Sequence, residues 1–85
     1  KKEFVLANPD GLHVRPATLF VQAANGFSSE ILIRKDGEEV NGKSIFEILS
    51  LAAGPGSRLT IQCCGLDAEK AMSRLEELFS SDFEV

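Results

Sequence analysis

Apolar and polar positions change period several times along the chain, and each change marks an element. Glu3 to Ala7 (EFVLA) is a short apolar run ahead of Asn8, Pro9, Asp10 and Gly11, and it predicts a strand followed by a loop. Ala17, Phe20, Val21 and Ala24 then recur at i, i+3, i+4 and i+7, one apolar stripe of a helix. Asn25 and Gly26 suit a left-handed cap at its end. From Ser29 to Lys35 the period drops to two, with Ile31 and Ile33 on one face, and Asp36-Gly37 makes a favoured two-residue hairpin turn into a strand over Glu38 to Val40. Helical spacing returns between Ser44 and Ala53, where Ile45, Ile48, Leu49 and Ala52 form the expected buried stripe and Gly54, Pro55 and Gly56 stop it. Alternating Leu59, Ile61 and Cys63 predict a fourth strand. Asp67 is placed to cap a last helix with Ala68, Ala71, Met72, Leu75 and Phe79 on one side.

The resulting order is βαββαβα. Three amphipathic helices need a sheet face to cover, which predicts an α+β open-faced sandwich with the helices on one side. The chain has 85 residues, enough for one small domain over 1–85, and 44% of them are hydrophobic, which argues for a folded core. A net charge of −4 gives no support to nucleic-acid binding. No apolar run is long enough for membrane insertion and no signal-peptide pattern opens the chain, so a cytoplasmic location is expected. Cys63 and Cys64 are adjacent, so a bridge between them would be strained and further metal ligands are lacking; two reduced thiols are expected.

Candidate chemistry concentrates in GLHVRPAT, Gly11 to Thr18, which holds the single histidine, His13. Gly11 permits a tight turn. Pro16, with its preset φ and missing N–H, suits a place just inside a helix start. His13 then falls at the N-cap, where the free N–H groups of Val14 and Arg15 and the positive end of the helix dipole face any group on the ring. Arg15 adds a permanent charge and a planar fork of donors that matches phosphate oxygens. A neutral ring nitrogen would be the nucleophile, and the group it carried would be an anion. A lone His-x-Arg is more often a solvated loop; the convergence of glycine, histidine, arginine and proline on one helix start favours a site.

GLHVRPAT resembles the active-site signature of HPr, the histidine-containing phosphocarrier family of the bacterial sugar phosphotransferase system. Asn41 to Ile61 (NGKSIFEILSLAAGPGSRLTI) is similar to that family's regulatory-serine helix with the loop and strand after it, and Phe20 to Ile31 (FVQAANGFSSEI) also reads like it. Together these segments cover nearly the whole chain. The resemblance implies a four-stranded antiparallel sheet. It also implies a carrier, not an enzyme in the strict sense, in which His13 accepts a phosphoryl group on Nδ1 from enzyme I and Arg15 stabilises it. The group then passes to a sugar-specific enzyme IIA domain.

The resemblance further implies a regulatory phosphorylation at Ser44 by an HPr kinase/phosphorylase. The residues also offer a plainer role, because Ser44-Ile45-Phe46-Glu47 is a capping box in which Glu47 reaches back to the serine. Glu47 brings a carboxylate close to Ser44 and disfavours a phosphate there, whereas HPr proteins regulated at this serine commonly carry a small uncharged residue at that position. With the buried stripe assigned, Phe46 and Leu51 are expected toward the edge or outer face of this helix, an apolar patch suited to docking a protein, and the resemblance implies enzyme I and enzyme IIA domains as what docks there. Lys43 would add charge for acidic partners. No metal, nucleotide or organic cofactor is implied, and a monomer is expected. Two alternatives stand beside the carrier: a regulatory module that keeps the fold and acts by docking to regulators or enzymes, and a small-ligand or metal-binding domain on a similar fold.

Overall fold

A computed structural model describes residues 1–83. Seven elements follow in the expected order: β1 (Lys2–Val5), α1 (Val14–Ala24), β2 (Glu30–Lys35), β3 (Glu38–Asn41), α2 (Ile45–Ser50), β4 (Arg58–Cys64) and α3 (Ala68–Ser80). The strands form one antiparallel sheet in the order β1-β4-β2-β3. Phe4 opposes Leu59, Ile33 opposes both Ile61 and Val40, and Ile31 opposes Cys63. These side chains point to one face, and all three helices cover it, with Phe20, Ala24, Ile48, Leu75 and Leu78 completing the core. The other face is polar and carries the ion pairs Glu3–Arg58 and Arg34–Glu39. This is the open-faced sandwich that the periodicity predicts. Among the described residues no helix is long and apolar enough to cross a membrane.

The hairpin forms as expected: Asp36 and Gly37 both take positive φ, 51° and 83°, the pairing a two-residue turn between right-twisted strands demands. Other local expectations are corrected. α1 ends without a left-handed cap: Asn25 has φ −70°, and right-handed turns continue as the Gly26 and Phe27 N–H groups donate to Ala23 and Ala24. Asp67 occupies the N-cap of α3 without capping it. Its carboxylate instead accepts the N–H groups of Ser28 and Ser29 and the Ser29 hydroxyl, fastening the start of α3 to the chain entering β2. The Ser29 hydroxyl first, with the Ser28 N–H behind it, holds the Asp67 carboxyl down from 3.8 to about 2. Cys63 faces the core half-buried, and burial raises its thiol pKa; Cys64 is exposed, and both are free thiols.

α2 is shorter than the Ser44 to Ala53 pattern suggests. It stops at Ser50, Leu51 caps it, and Ala52 turns left-handed at φ 50°. Ala52 is therefore exposed instead of lying on the buried stripe, while Leu51 and Ala53 on either side are buried. The physical reason is tertiary: the reversal at Ala52 aims the Ala53 carbonyl at the loop after β1, where it accepts the Leu12 N–H at 2.8 Å.

Candidate functional site

The loop from Leu6 to Leu12 is gripped from both sides before it presents His13. Leu6 exchanges backbone hydrogen bonds with the far loop, donating to Ser57 and accepting from Gly56. Within the loop the Gly11 N–H donates to the Asn8 carbonyl, and the Asn8 side-chain amide donates back to the Gly11 carbonyl. Gly11 has φ 67°, and a Cβ there would lie 2.5 Å from the Ala53 carbonyl oxygen and 2.7 Å from Gly54 Cα. Only glycine allows both the turn and this backbone contact. Leu12 is buried beside it and anchors the chain next to the histidine.

His13 is the N-cap of α1, with extended backbone and a carbonyl that accepts the Ala17 N–H at 2.9 Å. Its side chain makes no capping bond, which leaves the ring free to react. Pro16 has no N–H, and the N–H groups of Val14 and Arg15 have no acceptor among the described residues. Two donors and the positive end of an eleven-residue helix thus converge beside the ring, with no acidic side chain in the first turn to neutralise them. Arg15 is exposed and forms no ion pair among the described residues, so its guanidinium is available to an anion.

The imidazole is half exposed and stands between two grooves. One, of about 310 Å³, lies toward the end of α2 and is lined by Leu12, Leu49, Ala52, Ala53 and Gly54 with His13 and Asp10. The other, of about 220 Å³, holds Asn8, Pro9, Asp10, His13, Arg15, Pro16, Asp82 and Phe83. Asp10, read from the sequence only as a turn residue, belongs to both, and its Oδ2 is 3.7 Å from His13 Nε2. Nothing in the local pattern distinguished it; a carboxylate three residues before a histidine in a turn was the available signal.

The α2 residues divide. Ser44 caps the helix, its Oγ accepting the Glu47 N–H at 3.3 Å. The reciprocal half of the expected capping box is missing: Glu47 Oε1 accepts the Asn41 N–H at 3.0 Å, while the Ser44 N–H goes to the Asn41 carbonyl. Phe46 is 84% exposed, on the outer face as expected. Leu51 is only 3% exposed and packs into the core, so it is corrected from docking residue to core residue. Lys43 is half-buried, and its ammonium donates to the Phe27 carbonyl at 2.6 Å, which ties the chain before α2 to the loop after α1.

Residues 1–81 match the family profile described as "PTS HPr component phosphorylation site". The chain belongs to the HPr family. HPr is the phosphocarrier component of the phosphotransferase system, a participant in a transferase pathway. Over 81 residues the chain is 47% identical to the phosphocarrier protein HPr of Borreliella burgdorferi, covering 95% of this chain and 94% of that protein. It is 55% identical over 65 residues to the HPr-like protein Crh of Halalkalibacterium halodurans, covering 76% and 77% of the two chains. The crystal structure of HPr-C-His from Thermoanaerobacter tengcongensis superposes with a TM-score of 0.92 at 43% identity over the whole of both chains. The four-stranded sheet with its three helices is thus the HPr fold.

Proposed function

We propose that the protein carries a phosphoryl group on His13, taking it from enzyme I and giving it to a sugar-specific enzyme IIA domain. One observation carries the reading: a half-exposed imidazole at the N-cap of α1, flanked by two backbone N–H groups and an arginine that have no partner among the described residues. In the accepting step a ring nitrogen bonds to phosphorus as the bond between phosphorus and the donor breaks. The Val14 and Arg15 N–H groups and the Arg15 guanidinium stabilise charge on the three equatorial oxygens, in the transfer and afterwards. These donors belong to the protein's own rigid helix start, so little reorganisation opposes the step.

The half-exposed ring of His13, open to solvent between two grooves, suits a carrier that must meet two partners. Phe46 presents an apolar ring on the same helical layer, where a partner's apolar groove can take it. Ser44 serves α2 as its cap, and a phosphate added there would lie near the Glu47 carboxylate, so His13 is the residue to which we assign phosphoryl transfer. A second reading, a regulatory module that works by docking, draws on the similarity to Crh. It predicts tight binding to a regulator with poor onward transfer. The deciding experiment is incubation with phosphoenolpyruvate, magnesium and enzyme I, followed by intact mass. One acid-labile phosphate on the unaltered chain and none on His13→Ala is expected. An uncharged protein beside a known HPr that does charge would refute the carrier reading.

A further inference from the structure

The carboxylate beside the imidazole has no part in the transfer scheme above. Asp10 belongs to the turn before α1, and its Oδ2 lies 3.7 Å from Nε2 of His13. A neutral imidazole has one proton for two nitrogens, and the nitrogen without it holds the reactive lone pair. An ionised carboxylate can only accept, so it favours the tautomer that carries the proton on the nitrogen facing it. Among the described residues the other charged groups around the ring are Arg15 of α1 and Asp82 of the turn after α3, both on the second groove. The end of α2 contributes only Leu49, Ala52, Ala53 and Gly54 to the first groove, none of them titratable.

We infer that Asp10 is a positioning residue for His13, its charge biasing the ring proton toward Nε2 so that Nδ1 offers its lone pair to phosphorus. Its consequence for transfer rests on the phosphocarrier reading; its effect on the ring does not. In the accepting step the Nδ1–phosphorus bond forms, the donor leaves with its electron pair, and Nε2 keeps its proton. The phosphorylated ring is then cationic, and Asp10 faces that cation. In the donating step the Nδ1–phosphorus bond breaks, its electron pair returns to the ring, and the proton has not moved. One carboxylate thus orders the ring for both directions of transfer. Both side chains are well exposed, 50% for His13 and 79% for Asp10, so the effect is small and screened by salt.

Asp10→Ala removes charge and acceptor, and Asp10→Asn keeps an acceptor oxygen without the charge. The imidazole nitrogens of 15N-labelled protein report the tautomer directly by NMR at a pH where the ring is neutral. The Nε2–H population is expected to fall in Asp10→Ala and to recover in part in Asp10→Asn. Phosphoryl transfer from enzyme I is expected to slow about two- to five-fold in Asp10→Ala at low ionic strength, with most of the difference gone at high salt. An unchanged tautomer population in Asp10→Ala overturns the inference, as does a shifted population with unaltered transfer. Failure of the carrier reading looks different, because the unaltered chain would then take no phosphate at all while the tautomer shift persisted.

Discussion

Replacing Gly11 by alanine tests the packing that builds the site, and Gly37 supplies the control. Both glycines have positive φ, 67° and 83°, so alanine at either meets the same left-handed penalty of about 1–2 kcal/mol. Loss of unfolded-chain freedom offsets about 0.4–1 kcal/mol of that at each position. Their surroundings differ: a Cβ at Gly37 meets nothing within 4 Å, whereas one at Gly11 falls 2.5 Å from the Ala53 carbonyl oxygen and 2.8 Å from the Gly54 carbonyl carbon. Those neighbours are backbone and cannot rotate away, so overpacking adds about 1–3 kcal/mol at Gly11 alone. Gly37→Ala should therefore cost roughly 1 kcal/mol and Gly11→Ala about 2–4 kcal/mol. Urea unfolding measures both; with a slope near 1 kcal/mol/M for a domain of this size, the Gly11 midpoint should lie about 1–3 M below the Gly37 midpoint. Because the clash pushes on the segment that accepts the Leu12 N–H, phosphoryl acceptance at His13 should fall in Gly11→Ala and not in Gly37→Ala. Equal stabilities for the two variants, within about 0.5 kcal/mol, would refute the argument from close backbone approach.

Arg15→Ala should slow phosphoryl transfer in rapid-quench assays while moving unfolding stability by no more than about 0.5 kcal/mol, since the side chain is exposed and forms no ion pair among the described residues; normal kinetics would remove Arg15 from the mechanism. Phe46→Ala should leave the urea midpoint unchanged and weaken binding to enzyme I in calorimetry, because the ring is 84% exposed and adds little to the core; unaltered affinity would take Phe46 out of the docking surface. Asp67 sets a pH window: its carboxyl is lowered from 3.8 to about 2 in the folded state, so its stabilisation is fully present above about pH 4 and is lost as pH falls toward 2. Urea midpoints measured across that range should decline less steeply in Asp67→Asn, and parallel declines would contradict the latch to Ser28 and Ser29.

Elements whose side chains repeat on one face could be read directly from the sequence. Ile31, Ile33, Leu59 and Ile61 alternate because one sheet face is buried, and Ala17, Phe20 and Ala24 recur because one helix stripe is; local pattern and tertiary burial agree there. His13, Val14 and Arg15 were readable for a similar reason, since a helix start and its orphan donors are local features. Errors gathered where a distant segment decides. Leu51 and Ala52 exchange their expected exposure because the Ala53 carbonyl must reach Leu12, a partner that no window around α2 contains. Asp67 has the composition of a cap, but Ser28 and Ser29, in the chain entering β2, offer it three donors from a segment distant in sequence. The Asp10 carboxylate escaped notice because turn propensity already explained it.

The loop that presents His13 is held by residues far along the chain, through Ser57, Gly56 and Ala53, and β1 pairs only with β4. During synthesis the histidine therefore leaves the ribosome well before the segments that give it a defined setting. Until Ala53 arrives Leu12 has no carbonyl to bind, and until β4 arrives β1 has no neighbour. A defined setting for the ring is consequently a late property of folding, completed when the first strand closes the sheet. Such distant pairing is the slow kind to form. A chain stalled before Ala53 would display the whole GLHVRPAT segment and still lack every distant contact that holds the loop around it.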